Sequence, residues 1–184
     1  MLDNIRAHSF MVAHVADALY CSLSTSSTGR ILPPEQHSLI LAGALLHDIA
    51  KTPCLNNACD HARLGQDLCQ QLGYPEVGEI VREHVILRDF SLSRYKQGQF
   101  LIKELVYYAD KRVRHDEVVT LHQRMDYIIE RYGNNDSARH LHIQNNFQLC
   151  QTLEEHLFTH INFPPKELAS HLNGQLFSPA QKSS

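Results

Sequence analysis

The stretch that decides the fold is Leu39-Ile40-Leu41-Ala42-Gly43-Ala44-Leu45-Leu46-His47-Asp48-Ile49-Ala50-Lys51. From Leu39 to Leu46 no polar side chain interrupts it, so a helix here is apolar on nearly every face and belongs in the centre of a bundle. Pro33-Pro34-Glu35 opens that helix in the manner of an N-terminal proline. Lys51-Thr52-Pro53 is expected to end it, because proline disfavours helix at the residue before it. Where the apolar run stops, a histidine and an aspartate stand side by side. A buried carboxylate beside a buried imidazole is costly unless the two are paired or coordinated. A core hydrogen bond between His47 and Asp48 meets that cost, and so does a metal ion shared by both. The pair by itself leaves the two open.

Working outward, the rest of the chain also reads as helices. Ile5, Phe10, Val12, Val15, Ala16 and Leu19 recur at helical spacing, with Asp3 before them as a candidate N-cap. Residues 22–29 are small and polar and read as a loop. Residues 60–72 form a further helix closed by Gly73. Pro75 restarts a helix reaching about Ile86, and residues 88–97 read as an irregular connection. Further helices are expected over 100–114, 117–132 and 137–159, with Gly133-Asn134-Asn135 as the break between the last two. After Phe163-Pro164-Pro165 the chain turns polar, and Ser178–Ser184 reads as a frayed tail. No period-two alternation is long enough for a sheet. The expected class is all-α, one bundle of about seven helices.

Composition narrows the function. With 184 residues, 43% hydrophobic and 20% charged, the chain holds one domain with a real core. No run nears the ~20 apolar residues of a membrane-spanning helix, and the N-terminus carries no secretory pattern. A net charge of −3 gives no reason to expect nucleic acid. Five cysteines at 21, 54, 59, 69 and 150 are odd in number and scattered, so no disulfide framework is expected and a reducing cytoplasm fits best. The 13 histidines stand out, since histidine is the commonest metal ligand.

Five places set a ligand-type residue in a buried or helix-breaking context: His8, the His47-Asp48 pair, His61, His84 and Asp110. Together with Ile49-Ala50-Lys51 and Tyr108-Ala109-Asp110, they resemble the signature of the HD superfamily of metal-dependent phosphohydrolases. His61 and His84 are similar to the subgroup that binds two metals, and the flanks resemble the bacterial branch that includes HD-type diadenosine tetraphosphate hydrolases. The resemblance implies that His8, His47, Asp48 and Asp110 ligate a first metal. It implies that Asp48 bridges to a second held by His61 and His84. One position departs: some two-metal relatives have a His-His pair where this chain has Glu83-His84.

The resemblance covers roughly residues 5–132 and implies an HD domain over 1–133; outside it, the chain is expected to add a C-terminal helix over 134–162 packed on the same domain and a polar tail over 163–184. Mixed imidazole and carboxylate ligands suit Fe, Mn, Co, Ni or Zn rather than Mg or Ca. The implied activity is hydrolysis of a phosphoester or phosphoanhydride in a nucleotide or other small phosphorylated metabolite, by water activated at the metal. Lys51, one turn after Asp48, is the first candidate for catalysis and phosphate binding, followed by Arg88 and Lys111. Two other readings stand beside this one: a one-metal nucleoside monophosphatase in which His61 and His84 touch the substrate phosphate, and a non-catalytic ligand-sensing module stabilised by metal.

Other signals read as bland. Cys54, Cys59 and His61 lack a second cysteine pair for a zinc finger. His156 and His160 read as an exposed i, i+4 pair, and His115, His122, His140 and His142 as surface. No glycine-rich phosphate loop and no Gly-x-Ser-x-Gly is present.

Overall fold

The computed structural model describes residues 1–25, 32–55 and 59–172. Among these the chain is an all-α bundle. Helix α1 spans Asp3–Ser24, α2 Gln36–Leu46, α3 Lys51–Cys54, α4 His61–Gln71 and α5 Pro75–Glu83. Then come α6 at Leu92–Lys96, α7 at Ile102–Lys111, α8 at Leu121–Tyr132, α9 at Ser137–Leu157 and a 3-10 segment at Pro165–His171. Strands β1 (Val113–Arg114) and β2 (Glu117–Val118) pair antiparallel between α7 and α8. Seven of the described helices have nine residues or more; α3 and α6 are single turns.

Helix α2 packs against three other helices, but the all-round burial its apolarity predicts is not found: Ser38 is exposed, and Leu39, Leu41, Ala42, Leu45 and Leu46 are half-buried. It touches α1, α5 and α7, and Ile40 and Ala44 are wholly buried. Two glycines set how closely its neighbours approach. A Cβ on Gly43 would stand 2.7 Å from both Cδ1 and Cγ2 of Ile80, and one on Gly65 would stand 2.6 Å from Cγ1 of Val81. Helices α2 and α4 therefore lie directly against α5, the helix that ends at His84. Asp60 caps α4 by accepting from the Arg63 amide, and its other oxygen takes Arg82 of α5 at 2.7 Å. The start of α4 is thus tied to the end of α5.

Helix α9 packs on α6, α7 and α8. Arg112 anchors it, donating to Glu154 of α9 at 2.9 Å, to the Pro165 carbonyl at 2.8 Å and to the Tyr108 hydroxyl. Buried arginine is tolerable here because each nitrogen of the guanidinium meets an acceptor, Nε on the Val119 carbonyl included.

Several expectations need correction. Residues 88–97 are not irregular throughout, since Ser91 caps α6 and Tyr95 is buried between Phe90 and Phe100. The chain after Phe163 is still part of the fold as far as residue 172, for Leu168 is wholly buried. Residues 178–184 lie outside the described residues, as do residues 26–29 of the expected loop after α1. Pro53 lies inside α3 rather than stopping a helix; at the third position of a helix its missing N–H costs nothing. His156 and His160 are half-buried, packed toward Tyr95 and Phe100. Cys54 and Cys59 form a disulfide, with Cα atoms 5.3 Å apart. A short local bridge needs no framework, so an odd, scattered cysteine set could not exclude it, and it takes one pair out of the argument for a reducing compartment. No described helix is long and apolar enough to cross a membrane.

The α2–α5 contact can be tested. Gly43→Ala gains helix propensity of about 1 kcal/mol but overpacks against Ile80, at a cost of about 1–3 kcal/mol. We expect a net loss, read as a melting temperature lower by a few degrees, and partial recovery when Ile80→Val removes Cδ1. An unchanged or raised melting temperature would contradict this packing.

Candidate metal centre

The adjacent His47 and Asp48 converge because α2 ends just before them. His47 is the C-cap residue of α2, and residues 47–50 form a turn held by Ile49 N–H to Leu46 O and Lys51 N–H to Asp48 O, each 2.9 Å. His84 occupies the same position on α5. Both imidazoles do the same thing. His47 Nδ1 donates to Ala44 O at 2.6 Å and His84 Nδ1 to Val81 O at 2.6 Å, each to the carbonyl three residues upstream. The last carbonyls of a helix lack intrahelical donors, so each ring satisfies one of them. A carbonyl only accepts. Nδ1 must therefore carry a proton, and Nε2 is the atom left to face the site.

His8, from α1, is set the same way by a different partner. Its Nδ1 donates to His115 O at 2.9 Å. His115 forms the β1–β2 turn with φ of 58°, a left-handed conformation that points its carbonyl inward. The hairpin, too short to show in residue periodicity, thus orients a ligand.

The free ends meet around two buried carboxylates. Asp48 Oδ2 is 3.5 Å from His47 Nε2, while Asp48 Oδ1 is 3.4 Å from His61 Nε2 and 3.5 Å from His84 Nε2. His61 Nε2 and His84 Nε2 are 3.3 Å apart. Asp110 Oδ1 lies 3.0 Å from His8 Nε2 and 3.8 Å from His47 Nε2. Asp48 therefore presents one oxygen to each of two groups. Ligands ~2.1 Å from one ion at tetrahedral angles are ~3.4 Å apart, and the His61–His84–Asp48 triangle has edges of that length. Two ligand groups, His8 with His47 and Asp110, and His47 with Asp48 and His84, are each close enough to share an ion. His47 Nε2 and Asp48 Oδ1 are buried with no hydrogen-bond partner. Buried polar atoms rarely go unmatched, and a divalent ion answers both. The donor set, imidazole nitrogen with carboxylate oxygen, fits a transition metal.

The electrostatics agree. Burial pushes the Asp48 carboxyl up, but His47, His61 and His84 outweigh it and hold it well below the ordinary range. Burial likewise opposes ionisation of Asp110, where Lys111, His8 and Arg124 prevail and hold it well below. Burial drives His84 down to about 4 and lowers His8 despite the Asp110 hydrogen bond, so both rings are neutral, as ligands must be. His47 alone is raised: burial lowers it, and Asp48 and Asp110 overcome that. The field that draws a proton to His47 Nε2 is the field that draws a cation.

The remaining sequence candidates fall into place around this centre. Lys51 Nζ donates to Asp48 Oδ2 at 2.7 Å and lines the cavity above the ligands. Lys111 is buried and spends its ammonium on Asp110 Oδ2 at 2.9 Å and His84 O at 2.8 Å. Arg88 does not line the cavity; its guanidinium and amide go to Glu83 and the Arg82 carbonyl. Glu83, the departure from the His-His pattern, points to that loop and not to the ligands. Cys54 and Cys59 are bonded to each other and so hold no metal.

The cavity, of about 800 Å³, also has a wall that sequence reasoning missed: Arg124, Tyr127 and Arg131 of α8 with Arg139 and His142 of α9. Arg124 Nη2 reaches Asp110 Oδ1 at 3.5 Å. The readable signal was an arginine-bearing stripe where an amphipathic helix normally carries its apolar one.

Residues 5–114 match the family model of the HD domain. The chain belongs to the HD domain family. That family consists mostly of metal-dependent hydrolases. No curated protein and no solved structure matches the chain. The HD match takes in all six ligand-type residues and ends at Arg114, before α8 begins.

Two substitutions separate ligand from support. Asp48→Asn is expected to cut bound metal to a small fraction of wild type, measured by elemental analysis, with helical circular dichroism retained. Glu83→Gln is expected to keep full metal content. Metal retained in the first, or lost in the second, would contradict the ligand set.

Proposed function

We propose that this HD domain is a phosphohydrolase with a two-metal centre, acting on a phosphoester or phosphoanhydride bond of a nucleotide or other small phosphorylated metabolite. The observation that carries this reading is the convergence of four imidazole Nε2 atoms on two buried carboxylates at the floor of an open cavity. His8, His47, Asp48 and Asp110 would hold one ion, and His61 and His84 together with Asp48 would hold the other. When bound, divalent transition ions supply Lewis acidity toward a phosphoryl oxygen and acidify water.

The chain supplies the rest. Backbone carbonyls fix His8, His47 and His84, so no reorganisation of these rings is needed during reaction. Lys111 and Arg124 hold Asp110 in place from its two oxygens. Lys51 keeps its proton: burial opposes the charge, and Asp48 and Asp110 restore it. Its ammonium stands at the cavity edge, where phosphoryl oxygens gather negative charge in the transition state.

The test is turnover with counted metal. Protein loaded with Mn, Fe, Co or Ni is expected to hydrolyse a nucleotide or bis(p-nitrophenyl) phosphate, to stop on chelation and to restart on reloading. Two ions per chain are expected in wild type and about one in His61→Ala. Saturation of wild type at one ion favours a one-metal enzyme, and metal-loaded protein without turnover on any phosphorylated compound favours a sensing module. Lys51→Met is expected to lower kcat on the order of 10²-fold. Wild-type kcat and KM in that variant would remove Lys51 from the mechanism.

A further inference from the structure

We propose that helices α8 and α9 form a second anion-binding subsite, so that the substrate carries another anionic group on the order of 10 Å from the phosphate at the metals. The proposal rests on the reading of the metal centre as a phosphate site and names what else the substrate must contain.

Arg124, Tyr127, Ile128 and Arg131 stand at i, i+3, i+4 and i+7 on α8 and line the cavity together. That stripe is normally the apolar one a helix turns toward its core. Here it faces open space and carries a guanidinium at each end. Arg124 is the inner end. Its side chain is 8% exposed, and its Nε is buried without a hydrogen-bond partner. Arg131, in the last turn of α8, is the outer end, about 10 Å further along the axis at 1.5 Å per residue. Arg139, two residues into α9, stands at the same end of the helix pair, its Nη1 on the Tyr132 carbonyl at 3.2 Å.

Charge within the cavity gives these arginines a purpose. Among the described residues its lining holds Lys51, Lys111, Arg124, Arg131 and Arg139, but only two carboxylates, Asp48 and Asp110. Both sit at the floor as the ligands of the proposed metal centre, so no described lining residue neutralises Arg131 and Arg139. The chain as a whole carries −3, so this excess is local. A ligand bearing one phosphate would be satisfied at the floor. The outer pair fits a second phosphate or carboxylate, with Tyr127 and Ile128 covering the span between. Arginine suits this use because its planar fork pairs with two oxygens at once. Substrate selection thus falls to the part of the chain beyond the matched HD segment.

The probes are non-hydrolysable: methylphosphonate, and hexane-1,6-bisphosphonate, whose two groups are far enough apart to chelate weakly. Each is titrated by calorimetry into metal-loaded protein, with metal content measured afterwards. The bisphosphonate is expected to bind at least tenfold tighter than the monophosphonate. Arg131→Gln/Arg139→Gln is expected to abolish that gain while leaving methylphosphonate affinity unchanged. Both residues are exposed, so the fold tolerates the change, and the Arg131→Lys/Arg139→Lys double is expected to keep most of the gain. Equal affinity for the two probes, or a gain that survives in the glutamine double, overturns the subsite alone. Failure of both probes to bind fully metal-loaded protein overturns the phosphate reading of the metal centre along with it.

Discussion

A histidine at the end of a helix, giving its Nδ1 proton to the carbonyl three residues upstream, is the interaction on which this site depends. It occurs twice, at His47 after α2 and at His84 after α5. Each bond removes an unsatisfied carbonyl from a helix end, and each sends Nε2 toward the other. His8 completes the set through the turn carbonyl of His115. Removing such an outer partner commonly weakens metal affinity ten- to a hundredfold, or about 1.4–2.7 kcal/mol. The backbone, which no substitution changes directly, therefore carries much of the ligand geometry.

The rest of the bundle brings those helix ends together. Helix α2 buries Ile40, Gly43 and Ala44 against its neighbours, and the turn where it stops, at His47 and Asp48, lies deep in the molecule. Gly43 and Gly65 let α2 and α4 press onto α5, and Asp60 with Arg82 ties the N-cap of α4 to the last turn of α5. Two carboxylates at such depth are tolerable because cations surround them. Lys51 sits on Asp48, and Lys111 and Arg124 on Asp110. These contacts balance the carboxylates but leave Asp48 Oδ1 and His47 Nε2 open, and those are the atoms a metal needs.

Much of this was legible in the residues. The apolar run 39–46 placed a central helix, and a histidine and aspartate at its end announced a buried polar centre. All six ligand-type residues proposed from the chain arrive at one place. What was illegible depends on tertiary contact. The orienting bond of His8 comes from the backbone of His115, whose side chain reads as surface, so no residue type could signal it. Lys111 and Arg88 read as free cations until their partners, Asp110 with the His84 carbonyl and Glu83, are seen beside them. The arginines of α8 and α9 drew no notice in the sequence because helical periodicity cannot tell a face that meets a cavity from one that meets bulk water. Leu168 gives no signal of burial in a polar stretch until Arg112 is seen holding Pro165 above it.

The most direct measurement of the central claim is long-range ¹H–¹⁵N correlation of the histidine rings in ¹⁵N-labelled protein, without metal and then titrated with zinc. His8 and His84 are expected to carry their proton on Nδ1 before any metal is added. Zinc is expected to move the Nε2 resonances of His8, His47, His61 and His84, while His8, His47 and His84 keep Nδ1–H. Protons found on Nε2 of His8 and His84 in the metal-free protein, or zinc shifts that fall on Nδ1 or on other histidines, would contradict that claim.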